Sequence, residues 1–559
     1  EKGADRILIF EDKDADGEFE TKKVFAENLN LVSGIEVGFG GVWIGAAPYL
    51  LFIPDRNGDD VADGVPEVLL DGWGYQDTHE TLNSFTWGPD GWLYGCHGVF
   101  THSRVGKPGA TEDQRVPINA GIWRYHPTKR EFEVFAWGTS NPWGLDFDEN
   151  GDWFTTACVI PHYYQVIQGG RYFRQAGQHF NSYVYDDIKT IADHLHYGDG
   201  TFESMRADGK VDRALQREKA ADTSALGGGH AHCGLVIYQA DNFPEAYRGD
   251  SFFHNLHGHR IVRERPEKEG SGTVMRHAPD FALAQDHSFI GVALVQGPDG
   301  ALYVSDWHDP QTCHHRDPDI WDRSNGRVYR IRYGEYEANR VDLVGASDVE
   351  LAEYLTHSNN FIARQAQLLL QERAHAGNLD SGAVTKELQD LMRAEQPRAH
   401  RLRAFWAMQV CGLMDTGDVY SILDDQDPYM RGWAVHFYGE QGDGVPGKVA
   451  QKFVSLAKGD ESPVVRRYLA SSLQNLPEGQ RWDLAEGLSS RRADINDQNL
   501  PLLVWYGLEP MVTGSPERSI EIAGESAWPK LDSFTQRRAA ETVEGRSALL
   551  AYVGRAKTS

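Results

Sequence analysis

The sequence predicts an N-terminal, mainly β domain built as a β-propeller of about six blades, followed by an all-α domain of helical repeats. Two observations carry this. Gly and Trp crowd the part before about residue 335, whereas Leu, Ala, Arg, Glu and Gln dominate beyond about 345. The first part also repeats itself, and internal repeats of blade size mark a propeller. The expected boundaries are residues 1–338 for the propeller, with an insertion at about 160–228, and 345–559 for the helical part.

The repeat is a strand, a tight glycine turn and a second strand. It reads Phe85-Thr-Trp-Gly-Pro-Asp-Gly-Trp-Leu-Tyr-Gly, then Leu145-Asp-Phe-Asp-Glu-Asn-Gly-Asp-Trp-Phe-Thr, then Ala293-Leu-Val-Gln-Gly-Pro-Asp-Gly-Ala-Leu-Tyr-Val. Ile35-Glu-Val-Gly-Phe-Gly-Gly-Val-Trp-Ile is a looser copy. Pro-Asp-Gly and Glu-Asn-Gly supply the positive φ that short hairpins need. The turn glycines are read as Gly41, Gly91, Gly151 and Gly300, with an equivalent near Gly249. The long gap between Gly151 and Gly249 is expected to hide one more unit, which makes six. The competing fold is a β-sandwich with chance turns of this type.

In the second part, Phe361-Ile-Ala-Arg-Gln-Ala, Asp427-Pro-Tyr-Met-Arg-Gly-Trp-Ala and Ser462-Pro-Val-Val-Arg-Arg-Tyr-Leu-Ala share a helix start. Asp427 and Ser462 read as N-caps with proline at the first helical position. Units of that size are HEAT-like helix pairs that stack into a solenoid.

Charge and cysteines bound the setting. The net charge of −27 disfavours a nucleic-acid partner. No apolar run is long enough to span a membrane. The chain starts at Glu1 rather than methionine, and a targeting segment is expected to have preceded it, for a secreted or periplasmic bacterial protein. The five cysteines (Cys96, Cys158, Cys233, Cys313, Cys411) form neither a disulfide framework nor a zinc ribbon, although one bridge among the first four stays open.

Aligned on the turns, the loops that enter the innermost strands bring His79, Thr139, Ser288 and His232 to one rim. Asp77, Asn141 and Asp286 lie beside them. His79, His232 and Asp306 are the catalytic candidates. Asn141, Trp143 and His230 are the cofactor candidates, and Asp77, His162, His179, His257 and Asp286 the substrate-binding ones. The 22 histidines cluster, as in His194-Leu-His196 and His230-Ala-His232. Imidazole is both the usual general base near neutral pH and the commonest metal ligand, so a transition metal at the histidine cluster is a further candidate. Backbone-bonded histidines in a polar channel are the alternative. The insertion is expected to fold over the channel mouth.

Two acidic loops resemble calcium sites. Asp12, Asp14 and Asp16 precede Gly17 as in an EF-hand loop, but Lys23 stands where the bidentate Glu belongs. Asp55, Asn57 and Asp59 form the second. Solvated acidic turns are the alternative for both. No GxSxG, Walker or Rossmann signature occurs.

The stretch from Asp77 through the Gly-Pro-Asp-Gly hairpin, Ser140-Asn-Pro-Trp-Gly-Leu, His232-Cys-Gly-Leu-Val-Ile-Tyr, Phe243-Pro-Glu-Ala-Tyr-Arg-Gly and Tyr303-Val-Ser-Asp306 resembles the soluble sugar dehydrogenases that use pyrroloquinoline quinone. The whole chain is similar to large proteins of planctomycete-type bacteria called membrane-bound dehydrogenases. Those join such a propeller to HEAT-like repeats and often to a cytochrome c domain, for which no CxxCH motif is present here. The resemblance implies that His79 takes the proton from a sugar hydroxyl and that Asn141 touches the quinone. It also implies Ca²⁺ as a helper ion and a cytochrome c as electron acceptor. The family's quinone-pairing arginine before the asparagine is Ser140 here, and a serine cannot replace a bidentate ion pair.

Three functions follow as expectations. The first is a sugar-oxidising enzyme with His79 as base. The second is a metal-dependent carbohydrate hydrolase or lyase that uses rim histidines. The third is a non-catalytic scaffold that binds glycan or protein on Trp73, Trp143 and Tyr163.

Overall fold

The computed structural model describes residues 3–13, 19–158, 160–194, 231–310, 321–322, 324–335, 341–393 and 395–556. An N-terminal hairpin, β1 (Asp5–Glu11) and β2 (Thr21–Leu29), lays Ile7, Phe25 and Leu29 on Val42, Ile44 and Ile53 of the first sheet. That sheet is β3 (Val32–Val37), β4 (Gly41–Ala46), β5 (Tyr49–Pro54) and β6 (Glu67–Leu70). The second has β7 (Asn83–Trp87) and β8 (Leu93–His97), then, past the small pair β9 (Ser103–Val105) and β10 (Val116–Ile118), β11 (Gly121–His126) and β12 (Glu131–Thr139). The third is β13 (Asn141–Phe147), β14 (Trp153–Cys158) and β15 (Tyr163–Val166). The next strand, β16 (Arg171–Arg174), returns to pair in parallel with β12 and ties the second and third sheets together.

The fourth sheet is β17 (His232–Ile237), β18 (Ser251–Asn255), β19 (Arg260–Glu269) and β20 (Gly272–His277), with β21 (Ala282–Leu283) against β19. The fifth is β22 (Gly291–Gln296), β23 (Leu302–Asp306) and β24 (Arg327–Ile331). The first strands pack side by side in chain order, β3 to β7 to β13 to β17 to β22. Residues of all five, with Asn360, Arg364, Gln367 and Trp406 of the helical part, line a cavity of about 440 Å³. The first strands start at a common end, the mouth, and finish at the other, the base.

The glycine turns lie at the base. Gly91, Gly151, Gly249 and Gly300 have positive φ as expected, but in the first sheet the turn residue is Gly40 (φ 70°), and Gly41 opens β4. Among the described residues, the long gap holds no separate sheet. β13 and β17 touch directly, with the Ile237 N–H donating to Asp146 Oδ2 at 2.8 Å, so no sheet fits between them. Of the insertion, β15 and β16 join existing sheets, and residues 195–230 lie outside the described residues.

In the second, fourth and fifth sheets a carboxylate from the turn is locked by an arginine of the sheet's third strand. Asp90 meets Arg124 at 2.7 Å, Asp250 meets Arg263 at 2.5 Å, and Asp299 meets Arg330 at 2.6 Å. In the third sheet the partner comes from elsewhere, with Asp152 bound by Lys268 and Arg467. A hairpin turn thereby becomes a charged contact that a second domain can read.

That domain is helical. Its thirteen described helices are α1 (Asp348–Tyr354), α2 (Asn360–His375), α3 (Ser381–Leu391), α4 (Arg398–Val410), α5 (Thr416–Ile422), α6 (Pro428–Gly439), α7 (Gly447–Gly459), α8 (Pro463–Ser472), α9 (Glu478–Ser489), α10 (Leu500–Leu508), α11 (Pro516–Glu525), α12 (Pro529–Ala539) and α13 (Val543–Ala556). They stack in two layers, with α4, α6, α8, α10 and α12 succeeding one another in one of them. Asp427 caps α6 as predicted, but the Ser462 side chain makes no cap bond. Two of the shared helix-start arginines reach a loop of the next unit, Arg431 binding Asp460 and Arg466 binding Asp494, whereas Arg364 binds Asp146 of β13. None of the described helices is long and apolar enough to cross a membrane.

The helices dock on the base of the sheets. Gln367 and Gln371 donate to the Pro89 and Gly91 carbonyls, Asn359 to Gly297 and Pro298, and the Trp433 indole to Asn150. A Cβ added at Gly151 would lie 2.4 Å from the Trp433 ring, so this turn needs glycine for its φ of 79° and for the close approach. The base is covered, which leaves the mouth as the end where the loops can meet a ligand.

Candidate functional site

The mouth loops are positioned by the starts of the inner strands. Asp77 caps the short turn Thr78–Glu80, and its Oδ1 accepts from the His79 N–H at 3.0 Å and meets His79 Nδ1 at 2.9 Å. The same geometry recurs after β23. Asp306 accepts from the His308 N–H at 2.8 Å and meets His308 Nδ1 at 2.9 Å. A carboxylate on Nδ1 fixes the tautomer and leaves Nε2 as the basic or ligating atom. Asp306 also accepts from the Ile290 N–H at 2.7 Å, so it pins the entry to β22. Its two oxygens thus hold both the His308 ring and the backbone of Ile290.

Contacts run around the rim from sheet to sheet. The Trp143 indole donates to the His79 carbonyl at 2.6 Å, and the Ser140 hydroxyl donates to the Cys158 carbonyl. The Cys158 thiol faces the His232 carbonyl, and the Cys233 thiol the Gly291 carbonyl. Thr139 Oγ1 and Asn141 Oδ1 are buried beside them without a hydrogen-bond partner in the structure. Buried polar atoms of that kind await a water or a ligand group.

Around the oriented imidazoles stand exposed rings, Tyr75 (57% exposed), Phe100 (44%) and Trp307 (47%). The sequence points to other aromatics: Trp73 and Tyr163 are buried in the core and offer no stacking surface, and Trp143 is half-buried.

A second focus lies between the third and fourth sheets. His162 Nε2 meets Glu264 Oε1 at 2.5 Å, and His194 Nε2 meets the same oxygen at 3.2 Å. His194 Nδ1 is held by Asp193 at 2.7 Å, and Asp193 in turn by Arg276 at 2.8 Å. The His232 ring centre lies 4.7 Å from that of His162. Burial alone would raise the Glu264 carboxyl, but His162 and His194 outweigh it and hold it at about 2. Burial also acts to lower His194, and Glu264 and Asp193 reverse it, so its shift is upward.

Other predicted residues fall outside both groups. His179 is tied to Asp187 at 3.1 Å past the outermost strand β16. His257 lies in the turn between β18 and β19, and Asp286 accepts from the Ser288 N–H at 2.8 Å before β22, both on the mouth side. His230, Asp14 and Asp16 lie outside the described residues, and Asp12 is in the β1–β2 turn. Asp55, Asn57 and Asp59 sit at the base, where their side-chain oxygens accept from the Gly58, Asp59 and Val61 N–H groups and close an acidic turn.

The sequence reading missed Glu264, and it placed His308 among the clustered histidines and Asp193 in the insertion without giving either a role. The paired Asp-x-His spacing of Asp77-Thr-His79 and Asp306-Trp-His308 was a signal for His308. Glu264 gave none, because it stands in the charged strand Arg263-Glu-Arg-Pro-Glu-Lys-Glu, which reads as a solvated face.

A family model described as "Domain of unknown function (DUF7133)" matches residues 1–335, more than half of the chain. The chain belongs to the DUF7133 family. No curated protein matches it. Among solved structures, a luciferin-regenerating enzyme is similar to this DUF7133 protein at 14% identity and a TM-score of 0.33, over 57% of this chain and 83% of that one. An oxidoreductase (glucose dehydrogenase) from Thermus thermophilus is similar at 13% identity and a TM-score of 0.28, over 58% and 100%. The PQQ domain of a pyranose dehydrogenase from Coprinopsis cinerea is similar at 11% identity and a TM-score of 0.21, over 50% and 91%. These likenesses are distant, and none bears on activity.

One position of the rim departs from the quinone contacts that the resemblance implies. Ser140, where the quinone-pairing arginine is expected, is fully buried and spends its hydroxyl on the Cys158 carbonyl. The position offers no cation to the quinone carboxylates.

The DUF7133 fold also sets an acid limit. Burial lowers His97 to about 3 and His254 to about 4, so both stay neutral in the folded chain. Their contribution is present above the unfolded value near 6.5 and is lost as pH falls towards the folded values. Urea unfolding at pH 7 and pH 4.5 should therefore show a loss on the order of a few kcal/mol. A flat profile would contradict the neutral assignment.

Proposed function

We propose that this protein is an enzyme that cleaves neutral carbohydrates at the mouth of the sheet ring, as a hydrolase or lyase, with His79 as general base. The observation that carries this reading is the pair of carboxylate-oriented histidines, Asp77–His79 and Asp306–His308, on two loops of the same rim. Imidazole held in this way takes a proton from a hydroxyl, a water or an activated carbon–hydrogen bond. The rim also has the two faces that a sugar needs. Tyr75, Phe100 and Trp307 offer rings to its carbon–hydrogen surface, and the half-exposed His79 imidazole offers a polar partner to its hydroxyls. With a net charge of −27, the surface repels polyanionic chains and favours neutral ones.

Substituting Trp307→Ala removes a stacking surface and no acid–base group. KM for an oligosaccharide substrate should rise about three- to ten-fold, the worth of one aromatic contact, with kcat nearly unchanged. An unchanged KM would remove Trp307 from the binding surface, and a collapse of kcat alone would contradict its assignment to binding.

A further inference from the structure

Among the described residues, two groups bring three or more metal-ligating side chains within 4.8 Å of one another: Asp90, His436 and Glu440 at the base, and His162, His194 and Glu264 between the third and fourth sheets. The first already holds a cation. The Arg124 guanidinium is fully buried among Asp90, Glu133 and Glu440, so its acidic oxygens are taken.

The second is built differently. Its charged partners are imidazoles, and both present Nε2 to the one oxygen, Glu264 Oε1. His162 comes from the β14–β15 loop, His194 from the segment after β16, and Glu264 from the middle of β19, so three separate elements converge. The far nitrogen of His194 is held by Asp193, and Asp193 by Arg276, which itself binds Glu267 at 2.8 Å. A carboxylate on the outer nitrogen is the device that orients metal-binding histidines and raises their basicity. His232 and His277 flank the pair, with ring centres 4.7 Å from His162 and 5.0 Å from His194. Glu264 and His162 are buried almost completely, so the three donors are held among packed side chains away from bulk solvent.

We propose that His162, His194 and Glu264 bind one divalent transition-metal cation of the zinc class. Two imidazole nitrogens and one carboxylate oxygen form a donor set suited to zinc or cobalt, and too nitrogen-rich for calcium or magnesium. Asp193 acts as a positioning residue behind His194. The site stands independently of the activity proposed for the rim.

The test uses the full chain, purified without a polyhistidine tag, stripped with chelator and titrated with Co²⁺ as a visible probe. One equivalent should develop a ligand-field band that Zn²⁺ displaces. Glu264→Gln and His162→Ala should abolish that band, and Asp193→Asn should weaken Co²⁺ affinity about 10- to 100-fold. No band in the wild-type chain would overturn the proposal. So would a band that persists in Glu264→Gln, because the cation would then sit elsewhere. If the ligand variants fail to fold, Asp193→Asn decides: wild-type affinity in that variant contradicts a carboxylate-oriented histidine ligand.

Discussion

The substitution His79→Ala should lower kcat/KM on a carbohydrate substrate by about 10²- to 10⁴-fold, the usual contribution of a general base. It should leave thermal stability almost unchanged. The imidazole is half exposed, its bond to Asp77 closes a local turn, and the Trp143 indole leans on the His79 backbone carbonyl, which the substitution retains. Asp77→Asn should also cut turnover, because an amide at Oδ1 no longer enforces the tautomer that leaves Nε2 as base. Steady-state kinetics beside circular dichroism separates the two effects. Turnover in His79→Ala within a few-fold of wild type would exclude His79 as the base.

The largest stability effect is expected at the opposite end. Arg124 is 2% exposed and binds Asp90 and Glu133 at 2.7 and 2.6 Å, together with Glu440 from α6. Its guanidinium also stacks on Trp92 with 4.2 Å to the ring centre. Arg124→Met keeps much of the volume but removes the buried cation from Asp90 and Glu440, leaving Asp90 with the Tyr94 hydroxyl and the nearby His436. Breaking a buried pair from one side costs about 3–5 kcal/mol. Denaturant unfolding should show that loss, and Asp90→Asn in the same chain should recover part of it. Strict additivity of the two substitutions would mean that Arg124 and Asp90 do not interact.

The turn that carries Asp90 shows how far the sequence could be read. Pro-Asp-Gly required a positive φ at its glycine, and the structure has it at Gly91 and Gly300. Local chemistry settles a turn, so this part was legible. The arginine that locks each turn was not, because Arg124, Arg263 and Arg330 stand at different distances along the chain from their aspartates. Register of the third strand decides the pairing, and register is a property of the whole sheet. The rim was legible for a similar reason, since loop position follows from the repeat: His79, Asn141 and His232 do start or precede inner strands. The unit expected between Gly151 and Gly249 failed because spacing alone cannot tell a blade from strands that join neighbouring sheets. Glu264 stayed hidden since its burial depends on His162 and His194, two residues brought to it from far along the chain.

The most direct measurement is mass-resolved analysis of the products from a panel of neutral oligosaccharides incubated with wild type and with His79→Ala. The account predicts cleaved products from the wild-type chain, either with one water added per bond broken or with an unsaturated sugar and no water, and almost none from His79→Ala. An intact sugar that has lost two hydrogens, with electrons passed to an added acceptor dye, would contradict it and return the rim to sugar oxidation.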